Sequence, residues 1–196
     1  MDETARLYLI LLLLLAAGRL VELRVSRQHQ IRLQATGSLT IAEPQYFWMA
    51  VFHGALLIAC AVEVVVLNRQ WYSLIGWTAL VLFLASNALR WWAIRTLGTR
   101  WTVRVMSPSR LGPVTMGPYR YVRHPNYTAV FLEMLALPLI HSAWLTAVAG
   151  TIAHVFILRN RVRLEESILM QDVAYRMAFE RKPRFFPGLL QRETDE

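Results

Sequence analysis

One cysteine, Cys60, stands in the 196 residues, inside an apolar run, so an internal disulfide and a multi-cysteine metal site are both excluded. No GxGxxG or Walker-type loop occurs, which removes a Rossmann dinucleotide site and a phosphate loop. HExxH and GxSxG are missing as well, which argues against a zincin and a serine hydrolase elbow. The scattered His29, His53, His141 and His154 read as packing or interface histidines, and no metal is expected. Acidic residues are few, 13 against 21 Lys and Arg, leaving a net charge of +8. The cations flank apolar runs and form no separate basic domain, so they read as anchors at a membrane surface, with no nucleic-acid partner.

What is plentiful is apolar sequence. Hydrophobic residues make up 56% of the chain in long blocks, and the mean hydropathy is +0.36, too apolar for an ordinary soluble domain. The fold class is therefore all-α, a polytopic membrane protein. Leu7 to Val25 reads as a first span, retained because Asp2 and Glu3 precede it and no small-residue cleavage pattern follows. Its later turns carry Arg19, Glu22 and Arg24, charges expected to face another helix or to snorkel. A linker with Arg24, Arg27 and Arg32 leads to Pro44. Tyr46 to Leu67 is the second span, with His53 and Glu63 as polar contacts between helices, and Trp71 to Ile94 is the third after a tight Asn68-Arg69-Gln70 turn. Tyr127–Ile140 and Ala143–Leu158 are each shorter than the roughly 20 residues of a perpendicular crossing and so form a hairpin, which makes five spans in all. Arginines after the first and third spans, among them Arg95, Arg100, Arg104 and Arg110, place the amino terminus outside and the carboxyl terminus in the cytosol.

Between the third span and the hairpin lies Gly117 to Tyr127, GPYRYVRHPNY, with two prolines, three tyrosines, two arginines and a histidine. Pro118 and Pro125 each disfavour helical dihedrals in the preceding residue, so the stretch is expected to expose backbone polar groups at the cytosolic membrane surface, with Asn126 capping the helix that follows. A second polar cluster, Arg159, Arg161, Arg163, Glu165 and Glu166, sits on the helix leaving the hairpin, where Arg161 and Glu165 share a face. Tyr175, Phe179, Phe185 and Phe186 interleave with Arg176, Arg181, Lys182 and Arg184, as in an amphipathic tail returning to the membrane surface. A basic interfacial loop beside a solvated helix end accounts for the same residues without any ligand.

The joint pattern of GPYRYVRHPNY, an apolar hairpin, RVRLEESIL and an aromatic-basic tail resembles the isoprenylcysteine carboxyl methyltransferase family of integral membrane methyltransferases, over about Trp101 to Pro187. The resemblance implies one membrane domain, 1–196, with three spans in 1–95 and a catalytic half in 96–196. It implies S-adenosyl-L-methionine as cofactor, held outside any Rossmann fold by Leu111, Gly112, Pro113, Val114, Tyr119, His124, Pro125, Asn126, Tyr127 and Glu165. Arg161 then faces the carboxylate of a lipophilic, prenylcysteine-like acceptor, and Arg161 with Glu165 forms the catalytic pair. Arg104 and Leu111 depart from the eukaryotic pattern, which has glutamine and histidine there. The HPNY form with Glu133 in the next helix looks more like bacterial relatives in the cytoplasmic membrane, some of which methylate hydroxyls of long-chain polyketide pyrones. For such an acceptor Glu133 is the nearest base. Amine methylation of a phospholipid headgroup, and a non-enzymatic scaffold holding anionic lipid, are the competing readings.

Overall fold

The computed structural model describes residues 1–43, 45–108 and 111–187; Pro44, where the first linker is expected to end, and Arg110, counted among the cytosolic arginines, lie outside the described residues. Six α-helices are present in the described residues: α1 Glu3–Ala35, α2 Gln45–Val66, α3 Ser73–Leu97, α4 Pro125–Leu139, α5 Trp144–Leu169 and α6 Val173–Phe179. No strand is formed there beyond one isolated bridge.

α1 starts where Asp2 accepts the Ala5 amide at 2.9 Å, a side-chain N-cap. It does not stop near Val25. Arg24, Arg27 and Arg32 ride on its exposed last turns, because Leu, Arg and Gln are good helix formers whose long side chains reach water without unwinding the backbone. The chain turns at Gly37, φ +93°, and a short linker runs to α2. α3 begins two residues later than expected, at Ser73, and α4 and α5 pack as the anticipated hairpin, with α4 laid mainly against α3 and α5.

Two helical stretches, Tyr46–Val66 and Ser73–Arg100, are long and apolar enough to cross a membrane. Large apolar side chains are exposed on them and also on α1 and α5: Leu13, Ile58, Leu74, Leu84, Val148 and Phe156 all point outward. Such a surface suits hydrocarbon, not water. Inside, Tyr8, Leu12, Cys60, Phe83 and Leu137 form one core, and the Tyr8 hydroxyl donates to the Leu137 carbonyl at 3.0 Å.

Charges at membrane depth are paired, as the cost of burying an ion requires. Arg19 bonds Glu22 and Glu133, and Arg90 grips Glu22 through Nη2 at 2.6 Å, which ties α1 to α3 and α4. Glu63 accepts the amides of Leu145 and Thr146 and the Thr146 hydroxyl, capping α5 from α2. His53 and Glu63 are thus the interhelical polar residues the sequence implies, with the His53 ring edge-on to His154.

On the loop side a second, smaller core joins Ala93, Tyr119 and Phe179. The α1–α2 linker lies beside the segment after α3: Thr40 and Met106 form an antiparallel bridge, flanked by hydrogen bonds from Ile41 N to Val105 O and from Ser107 N to Leu39 O.

Candidate functional site

Gly117 sits at φ +55°, and a Cβ there would come within 2.4 Å of the Thr96 hydroxyl, so both dihedral and space demand glycine. Pro118 then starts a 3-10 turn, Gly117–Arg120, which turns Tyr119 inward; burial raises its phenol above the usual range. Pro125 is the first residue of α4, and its missing N–H is no loss at that position. The cap position consequently falls on His124, and Asn126 lies within the first turn instead of capping it.

The loop backbone is not left open as the two prolines imply. Arg123 N donates to Pro183 O and His124 N to Arg184 O, both at 2.9 Å. The Arg123 side chain adds bonds to the carbonyls of Lys182 and Glu180. The tail therefore folds back onto the loop and buries Phe179, one of the aromatics expected to lie along the membrane surface.

Glu166 holds this junction. It bonds His124 Nε2 at 3.1 Å and meets Arg184 twice, through Nε at 3.0 Å and Nη2 at 2.7 Å. Burial pushes its carboxyl up, but the hydrogen bonds from His124 and Arg184 outweigh that and hold it down at about 2.

One turn along, the Tyr127 hydroxyl donates to Glu165 and accepts from Arg161 Nε at 2.8 Å. Arg161 and Glu165 are linked through this phenol. The other two Arg161 nitrogens donate to Glu43, at 2.7 Å, and to the Val103 carbonyl. Each nitrogen of the guanidinium is thus engaged within the chain.

Two cavities meet here. The first, about 190 Å³, is polar: Gly112, Pro113, Val114, Tyr119, His124, Asn126, Tyr127 and Glu165 line it, joined by Ser38, Trp101, Arg104, Asp172 and Tyr175. The second, about 360 Å³, is walled by Leu20, Leu57, Val130, Ile157 and Leu158, with Arg161 near Tyr127. Trp101, Thr102, Asn126 and Tyr127 belong to both walls. Of the expected residues, Leu111 is 53% exposed and outside either wall, and Pro125 is buried as a helix start. Glu133 is fully buried on Arg19 and lines neither cavity. Arg104 stacks over the Tyr46 ring at 4.6 Å.

A model of the isoprenylcysteine carboxyl methyltransferase family matches residues 78–171, which hold α3, the Gly117–Tyr127 loop, the hairpin and Glu165. Over this stretch the chain is similar to that family. Among related sequences, protein YpbQ of Bacillus subtilis is 28% identical over 168 residues, covering 84% of this chain and 98% of that one. A Haemophilus influenzae protein is 27% identical over 154 residues, covering 78% and 89%. The solved eukaryotic intramembrane Ras methyltransferase of the same family name superposes with a TM-score of 0.50 at 24% identity. That match covers 68% of this chain and 44% of the eukaryotic one, and it shows a shared helical fold over less than half of the eukaryotic chain's length.

Within this chain, four contributors to the site escape a reading by motif. Glu43 and Ser38 come from the α1–α2 linker, and Asp172 from the start of α6. Glu166 stands in the motif beside Glu165, but nothing local tells which of the two faces the loop. For Glu43 a signal did exist: it is the one acidic residue in a linker flanked by arginines.

Proposed function

We propose that the protein is an S-adenosylmethionine-dependent O-methyltransferase for a lipophilic acceptor, embedded by five spans with the loop side in the cytosol. The observation that carries this reading is the junction of a polar cavity with an apolar one at Asn126 and Tyr127. A soluble donor and a membrane-borne acceptor need such a pair of compartments with one shared wall.

The polar cavity fits the donor chemically. Buried Ser38 Oγ, Trp101 Nε1 and Asn126 Oδ1 have no partner among the described residues, and all three residues line the cavity or its shared wall. Glu165 and Asp172 offer carboxylates to a cationic ligand, and Tyr119, Tyr175 and Trp101 offer aromatic faces. Arg100 and Arg104 supply the positive side for a carboxylate. Bound there, S-adenosylmethionine supplies an electrophilic methyl group on a sulfonium. The chain's own task is alignment and exclusion of water. Tyr127, fixed from both sides by Arg161 and Glu165, is placed to orient the acceptor oxygen at the shared wall.

The acceptor group admits two readings. A carboxylate is already ionised and needs only orientation, the role implied for Arg161. The engagement of all three Arg161 nitrogens with Glu43, Val103 and Tyr127 favours a hydroxyl instead. A hydroxyl acceptor must lose a proton, and the pair Tyr127–Glu165 provides a route: the phenol takes it as its own proton passes to the carboxylate. Glu133, outside both walls, has no part in either reading.

The test is calorimetric titration of S-adenosylmethionine into the detergent-purified protein beside Glu165→Gln. Binding by the wild type that weakens in a folded variant supports the proposal. A folded wild type that takes up no donor overturns it.

A further inference from the structure

The apolar cavity has a polar inner end that methyl transfer at Tyr127 does not use. His154 and Arg161 are seven residues apart on α5 and line the same cavity, so the histidine lies two turns, about 10 Å, deeper than the arginine. Facing it from α2 is His53, with Arg19 and Arg90 in the same wall. His154 is 2% exposed, held between the rings of Phe52 and Phe131, and its Nδ1 has no partner among the described residues.

The donor and acceptor character of this end can be read off. His53 Nδ1 lies 2.7 Å from the Met49 carbonyl, which only accepts, so Nδ1 carries the proton. In the neutral ring Nε2 is then an acceptor, and no group among the described residues donates to it. Arg90 gives Nε and Nη2 to Glu22, and its Nη1 is unused among the described residues. The charges balance internally, with Arg19 and Arg90 set against Glu22 and Glu133. Salt bridges explain the ions. They leave unexplained an imidazole acceptor and a guanidinium N–H that are unused on two residues lining an apolar hollow.

We infer that the inner end of the apolar cavity binds a neutral hydroxyl carried by the lipophilic ligand, one that donates to His53 Nε2 and accepts from Arg90 Nη1. An ionised group would upset the balanced ions in a low-dielectric wall; a hydroxyl satisfies both free partners and leaves the balance intact. Resting on the methyltransferase reading, this makes the acceptor an amphiphile with two polar functions, the methylated oxygen at Tyr127 and a hydroxyl about 10 Å further in.

The probes are palmitic acid and its mid-chain hydroxylated counterpart, titrated into the detergent-purified protein and into His53→Leu. The wild type is expected to bind the hydroxylated acid about tenfold more tightly, one good hydrogen bond. The leucine variant is expected to lose that preference while binding palmitic acid as before. Equal binding of the two acids by the wild type, or a preference that survives His53→Leu, overturns the inference. S-adenosylmethionine binding, measured on the same samples, reports separately on the methyltransferase reading: a hydroxyl preference without donor binding would sink that reading and leave the polar inner end standing.

Discussion

The two cavities share a wall but are built by opposite means. The polar one is roofed by loops and a returning tail, and hydrogen bonds to carbonyls and carboxylates hold it: Arg123 on Lys182 and Glu180, Arg184 on Glu166, Ile41 on Val105. The apolar one is a gap between helices, kept open by the packing of α1, α2, α4 and α5, with its ions paired to one another. In water, hydrogen bonds contribute little net stability yet fix geometry, which suits a site for a polar ligand. At membrane depth, shape alone can define a hollow, and each charge needs a partner. Residues at the seam therefore obey both rules at once.

Breaking the seam has the largest expected effect. Arg161→Ala strands the buried Glu43 carboxylate, and a loss of about 3 kcal/mol or more in stability is expected by thermal unfolding. This variant is thus a poor test of catalysis, because lost activity and lost folding would coincide. Glu165→Gln is the cleaner cut, since Glu165 is partly exposed and bonds a neutral phenol. Donor affinity is expected to fall about thirtyfold, the worth of a charge-assisted bond, with an unchanged melting temperature. Ile157→Trp probes the other compartment: filling the apolar cavity is expected to raise the acceptor KM about tenfold and to leave the donor Kd alone. If donor affinity drops as well, the cavities are not separate.

Acid gives the mildest perturbation on the polar side. The Glu166 carboxyl is depressed from its ordinary 4.5 to about 2, so its contribution is present above 4.5 and lost as the pH falls toward 2. A loss on the order of 1 kcal/mol is expected across that window, limited by the solvent exposure of Arg184. Unfolding followed by circular dichroism should show it, and Glu166→Gln should flatten the dependence.

Much of this molecule is legible in its sequence because helices at a membrane announce themselves. The apolar blocks locate α2, α3, α4 and the start of α5 to within a few residues, and the hairpin follows from their shortness; α5 itself runs past Leu158 to Leu169, carrying Arg161 and Glu165 beyond the apolar block. α1 runs ten residues past Val25 because arginine does not end a helix; the signal that does is Gly37. The cap position at His124 follows from Pro125, whose fixed φ suits the first helical residue, a stronger rule than the capping preference of Asn126. Loop residues in the polar cavity were marked by Gly, Pro, His and Tyr close together. Glu43 was not, because its partner Arg161 lies 118 residues away and no periodicity spans such a distance.

The bridge between Thr40 and Met106 has a consequence for how relatives are compared. The family model begins at residue 78, yet the segment pinned by that bridge brings Ser38 to the polar cavity and Glu43 to Arg161. A motif comparison confined to 78–171 thus weighs an unfinished vessel. Two proteins with the same histidine, asparagine and tyrosine can differ in the missing side of the wall, and ligand preference can drift there while the signature stays still.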